Sequence, residues 1–189
     1  MEDRDIVHGT LGCHICGAEY PIVDGIADFT LGHAAPSVVA AHGSIAQFTN
    51  DELALRAAAL LDLAEPGGFA VLAGTWGACA PALAALTPRV HLLVLDPPDG
   101  IPSGAGISLA RVHDAVPVRP LACRGIVLDE AHASAPLVAT AIEAIRPGGR
   151  LVAPAPLPLP AGFTELARDE HQWVGVKASP PPVVHIRRK

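Results

Sequence analysis

The sequence predicts an α/β fold: a mostly parallel sheet with helices on both faces, an antiparallel hairpin at its end and a small β segment in front. Three observations carry this expectation. Apolar runs without polar alternation, such as Ala70-Val71-Leu72 and His91-Leu92-Leu93-Val94-Leu95, alternate with segments of helical spacing. Strands of that kind are buried on both faces, as in parallel sheets flanked by helices. The stretch FAVLAGTWGA (69–78) reads as a first strand handing the chain through a glycine-containing loop to a helix. A last parallel strand then opens after Arg146-Pro147-Gly148-Gly149, with hairpin-like sequence behind it.

The elements follow in order. In residues 7–31, Tyr20-Pro21-Ile22-Val23 and Ile26-Ala27-Asp28-Phe29 flank Asp24-Gly25, a strong two-residue hairpin signal. Residues 32–48 form a weakly patterned connection with room for a short helix. Thr49-x-x-Glu52 is a capping box, and Leu53, Ala57, Leu60 and Leu61 recur at helical spacing behind it until Pro66-Gly67-Gly68 stops the helix. A strand at 69–73 leads to a short helix at about 79–86, with Pro81 tolerable in its first turn. A second strand ends at Asp96, and a loop rich in Pro and Gly (97–106) precedes strands near 107–112 and 125–128. A helix opens near Ser134, with Val138, Ile142 and Ile145 on one face, and a strand begins at Arg150. Residues 153–162 are proline-rich and extended, 163–178 form a hairpin turning near Asp169–Gln172, and three prolines (180–182) precede a short final strand or tail. The expected units are a β appendage (1–32), a linker with its lead-in helix (33–65) and the main α/β domain (66–189).

At 189 residues the chain is one domain with a small appendage. Half of its residues are hydrophobic and the mean hydropathy is +0.38, which points to apolar surface covered by a partner. A net charge of −6 argues against nucleic acid, since the basic cluster is confined to Arg187, Arg188 and Lys189. No run approaches the roughly 18 apolar residues that cross a bilayer, although peripheral contact with a membrane complex is compatible with the composition. The opening Met1-Glu2-Asp3-Arg4-Asp5 lacks a signal-peptide pattern, so the expected address is cytoplasmic. Cys79 and Cys123 stand alone in apolar stretches and read as small core residues, while Cys13 and Cys16 form a Cys-x-x-Cys pair.

A nucleotide-cradling loop wants glycines for the tight turn, for close approach of the ligand and for helix-on-strand packing. In that register Thr75 and Cys79 stand where the first and third glycines are expected, and Gly77 alone survives. Bulky Trp76 sits within the loop, placed to fill the space a nucleoside would take. Asp129, Glu130 and His132, after the fourth strand, could be a general acid–base group at the end of the sheet where ligands bind, or a polar loop capping a helix.

Taken in order, several of these pieces resemble the class I S-adenosylmethionine-dependent methyltransferases over residues 66–178: the loop at 73–79, Asp96 ending strand two, His113-Asp114-Ala115, Val116-Pro117-Val118 and AIRPGGRLV (144–152). The resemblance implies a Rossmann-like methyltransferase fold and a cofactor site at Gly77, Asp96 and Asp114, with Asp96 on the ribose hydroxyls and Asp114 beside the adenine. The sequence departs from the family at Ala73, where an acid commonly holds the methionine amino group, and at the replaced glycines. LGCHICGAEYPIVDGIADF (11–29) resembles the second half of a zinc-ribbon family whose eukaryotic members activate methyltransferases. That resemblance implies zinc at Cys13 and Cys16, two of the four ligands a closed site takes.

Two functions follow. The favoured expectation is a non-catalytic, methyltransferase-like accessory or scaffolding subunit of a multi-subunit complex, without catalytic residues and without a cofactor. The alternative is a working methyltransferase in which Gly77, Asp96 and Asp114 hold S-adenosylmethionine and Asp129 or His132 handles the acceptor.

Overall fold

The computed structural model describes residues 6–14, 16–36, 48–104 and 106–179. The acidic start, the short helix expected before residue 48, the three prolines and the basic end lie wholly or mostly outside them. Three strands come first: β1 (Gly9–Gly12), β2 (Glu19–Val23) and β3 (Ile26–Asp28). Asp24 and Gly25 both take positive φ, 51° and 77°, so the expected β2–β3 hairpin turns on the residue types that such turns require. Helix α1 (Asn50–Leu61) starts on the full Thr49–Glu52 capping box.

The alternating part follows: β4 (Phe69–Ala73), a 3-10 turn at Gly74–Cys79, α2 (Ala80–Leu86), β5 (His91–Leu95), β6 (Ile107–Arg111) and β7 (Cys123–Val127). A second 3-10 turn (Glu130–His132) precedes α3 (Ala135–Ala144), then β8 (Ile145–Pro154), β9 (Phe163–Arg168) and β10 (Gln172–Lys177). The strand at 69–73 and that at 91–95 fall where the unbroken apolar runs put them. The Arg146–Gly149 segment differs from expectation: it lies inside β8, not before it, and Ile145 leaves the helix to pair with Cys123. Gly149 makes this fit, because a Cβ there would sit 2.6 Å from the carbonyl oxygen of Arg124 on the neighbouring strand.

The ten strands of the described residues join one sheet in the order β1-β2-β3-β6-β5-β4-β7-β8-β10-β9. Strands β6, β5, β4, β7 and β8 run parallel and β10 enters antiparallel between β8 and β9. This is the Rossmann-like methyltransferase arrangement, final antiparallel hairpin included. The N-terminal strands extend the same sheet, because β3 pairs in parallel with β6 (Ile26↔Leu109 to Asp28↔Arg111). The expected unit boundary at residue 32 thus falls between strands of one sheet.

Two cores form on opposite faces, following the two-residue alternation of each strand. Leu53, Leu61, Leu72, Leu83 and Leu92 pack with α1 and α2. Val71, Leu95, Ile126, Leu137, Leu151 and Trp173 pack with α3, where the Trp173 indole N–H donates to the Leu157 carbonyl at 2.7 Å. Cys79 and Cys123 are wholly buried, as expected of core residues, and burial pushes their thiols up to about 12 and about 11. Among the described residues, no helix is long and apolar enough to cross a membrane.

Candidate functional site

In a parallel sheet of this type, ligands bind beyond the carboxyl ends of the strands. Here those ends are β4 at Ala73, β5 at Leu95 and β7 at Val127. Asp96 follows β5 directly, and Asp129 follows β7 by two residues. Asp129 begins the second 3-10 turn, its Oδ1 accepting from the His132 backbone N–H at 3.2 Å. That turn aims the His132 imidazole back across the strand ends. Its Nδ1 meets Asp129 Oδ1 at 2.5 Å and its Nε2 meets Asp96 Oδ2 at 2.9 Å. The second oxygen of Asp129 accepts from the Thr75 N–H (2.9 Å) and hydroxyl (3.2 Å), and the second oxygen of Asp96 accepts from the Val112 N–H (3.3 Å).

One imidazole therefore clasps two strand ends, and through Thr75 and Val112 the clasp reaches two more. All three side chains are buried, His132 completely and Asp96 and Asp129 to 6% and 4% exposure. Burial works against the charged ring, yet the hydrogen bonds and charges of Asp129 and Asp96 outweigh it and lift His132 to about 9. Burial likewise opposes the Asp129 carboxylate, but His132 and the Thr75 N–H hold it below its ordinary value. A protonated ring with both N–H groups donating has no lone pair to accept a proton. The arrangement holds the ends of β5 and β7 together.

The pH dependence follows from these shifts. His132 binds its proton more tightly folded than unfolded, so its stabilisation is complete below about pH 6.5 and is lost as pH rises towards 9. The loss is on the order of 3 kcal/mol. Asp129 contributes in the opposite sense: its stabilisation is present at neutral pH and is lost as acid protonates it. Urea denaturation at pH 6.5, 7.5 and 9 is expected to give a falling midpoint, and a flat series would contradict the protonated clasp.

The loop after β4 departs from its expected register. The residue that turns the chain through positive φ is Gly74 (57°), one position before Thr75. The turn glycine is thus present, and what approaches its bare Cα is protein: a Cβ would stand 2.0 Å from Asp129 Oδ2 and 2.9 Å from His132 Cε1. Gly77 also faces protein, since its Cβ would lie 2.5 Å from Val94 Cγ1 and 3.0 Å from Pro98 Cδ. Trp76, expected over the strand ends, is buried instead in the core beneath α1 with Leu53 and Leu61. The space expected for Trp76 is bridged by His132. Asp114 is exposed on the bend after β6, and no hydrogen bond or ion pair joins it to the clasp. Glu130 is exposed as well.

Cys13 and Cys16 lie in the β1–β2 turn, half-buried and exposed respectively. Among the described residues no group of three or more His, Cys, Asp or Glu side chains could hold a metal ion. Sequence reading grouped Asp129 with His132, named Asp96 apart from them, and missed the union of the three. The available signal was an acid after each of two strands with a histidine three residues beyond the second.

No family model matches the chain, and no curated protein matches it in sequence. Solved structures similar to it include the antibiotic-resistance methyltransferase Kmr, at 17% identity over 71% of this chain and 95% of that one, with a TM-score of 0.45. The MycE methyltransferase of the mycinamycin biosynthetic pathway, in complex with Mg and SAH, is 14% identical over 69% of this chain and 49% of that one, at 0.49. An S-adenosylmethionine-dependent methyltransferase from Mesorhizobium loti is 20% identical over 69% of this chain and 65% of that one, at 0.44. The chain thus spans about half the length of MycE. The likeness is one of fold, and the fold itself rests on the strand order given above.

Proposed function

We propose that this chain is a methyltransferase-like protein that does not transfer methyl groups and serves as an accessory or scaffolding subunit of a larger protein assembly. One observation carries the reading: the buried Asp96–His132–Asp129 clasp closes the strand ends where a cofactor would sit. The residues do not fit S-adenosylmethionine. Asp96 has both oxygens committed inside the protein, the bare faces of Gly74 and Gly77 are filled by neighbouring side chains, and Asp114 stands apart. Transferring a methyl group needs a tightly positioned cofactor, and no residue of this constellation is left to position one.

The scaffold half of the reading is supported by uncovered sheet. The whole of 112–122 carries no helix, and Pro117, Val118, Arg119 and Ala122 of that segment line an open groove of about 320 Å³ with Phe69, His91, Leu93 and Ser108. Parallel sheets are ordinarily covered on both faces, and a partner chain would supply the missing cover.

Calorimetric titration with S-adenosylmethionine and S-adenosylhomocysteine tests the non-catalytic half. The expected result is no binding heat at millimolar ligand. Micromolar affinity, about −8 kcal/mol, together with methyl transfer to any acceptor, would replace this reading with the enzymatic one.

A further inference from the structure

The groove on the uncovered sheet face lies far from the clasp. Phe69 opens β4 and His91 opens β5, so the groove sits at the N-terminal ends of the strands, and the clasp closes the other ends. Strands β4, β5 and β6 are interior strands, each with a neighbour on both sides. An extended peptide joins a sheet through a free edge, whereas an amphipathic helix engages by its side chains. A segment lying on this face meets side chains only. The fold calls for the same element, since helices cover the faces of parallel sheets, and the 112–122 crossover from β6 to β7 supplies none.

Charge narrows the class of partner. Six of the nine side chains lining the groove are apolar, among them Phe69 at 47% exposure. Two more, His91 and Ser108, meet each other at 2.9 Å. The ninth is Arg119, which is exposed and forms no hydrogen bond or ion pair with the other described residues. No acidic side chain lines the groove, although the chain as a whole carries a net charge of −6. A two-fold contact presents the same patch on both copies, so a second copy would set this cationic lining against itself. A bilayer surface has no protruding side chains to fill a concave groove. We propose that the partner covering the groove docks an amphipathic helix, its apolar face filling the groove and its Asp or Glu side chains pairing with Arg119. Apolar contact supplies most of the affinity, and the charge selects the partner. The inference rests on the accessory-subunit reading and adds the partner's chemistry to it.

The test measures fluorescence anisotropy of two labelled helical peptides of about 15 residues. Both carry leucines at three- and four-residue spacing on one face; the other positions are alanine with glutamate in one peptide and alanine with lysine in the other. The glutamate peptide is expected to bind saturably in the micromolar range, and the lysine peptide at least about tenfold more weakly. Arg119→Glu is expected to reverse that preference. Ser108→Phe, at an exposed strand position, is expected to fill the groove and abolish binding, with the urea midpoint of each variant showing that it remains folded. Binding of neither peptide, equal binding of both, binding indifferent to both substitutions, or a preference for phosphatidylglycerol vesicles over the glutamate peptide would each overturn the proposal. Any of these outcomes without cofactor heat in the S-adenosylmethionine titration removes this inference and leaves the accessory reading standing. Cofactor binding with methyl transfer removes the accessory reading itself.

Discussion

His132→Ala is expected to destabilise the fold by about 3–5 kcal/mol, the cost of breaking a buried ion pair from one side. The substitution removes the one donor group shared by Asp129 Oδ1 and Asp96 Oδ2, leaving two carboxyl groups 4% and 6% exposed and facing a void. A carboxylate deprived of its partner in the interior costs more than the pair was worth, because its desolvation stays while its attraction is gone. Replacing all three residues by apolar ones of similar volume should therefore cost far less than His132→Ala alone. Denaturant unfolding of the two variants checks the order, and a triple replacement worse than the single one would show that the clasp is a net source of stability. The pH series adds a second check. Above about pH 9 the ring of the unaltered protein gives up its charge, so the gap between it and His132→Ala is expected to narrow.

How much of this was legible beforehand depends on the range of the interaction. Ala70 to Ala73 and Leu92 to Leu95 read as strands because burial on both faces suppresses alternation, and that signal is local. The turn at Asp24-Gly25 and the cap at Thr49 are local too, each specified within four residues. The start of β8 was misread because Pro147 and two glycines look like a stop, whereas the pairing of Ile145 with Cys123 pulls the segment into the sheet. The clasp was legible only in part, because Asp129 and His132 are three positions apart and read together, whereas their union with Asp96 is not local. Asp96 and His132 are 36 positions apart, and they meet only because β5 and β7 flank β4. A family template assigns Asp96 to a ligand, while the side chain that takes it comes from the loop after β7.

The Gly74→Ala substitution separates two meanings of one glycine. Were Gly74 kept for the close approach of a ligand, its bare face would look onto open space. A methyl group would then cost only the strain of a left-handed backbone, about 1 kcal/mol. In this chain the added Cβ would stand 2.0 Å from Asp129 Oδ2 and 2.7 Å from its Cγ, so the carboxyl group must leave its position. Leaving it means giving up the hydrogen bonds from Thr75 and the short contact with His132, all inside the core. The expected loss is on the order of 4 kcal/mol, read by urea unfolding, and a loss near 1 kcal/mol would mean that the clasp is not what fills the site. The double variant Gly74→Ala/His132→Ala sharpens this. Both changes break the same constellation, so their costs should not add. With His132 gone, Asp129 is released to turn away from the new methyl group, and the second substitution is expected to add much less than it costs alone. Full additivity would mean that Gly74 and His132 act on stability independently, which a shared clasp does not allow.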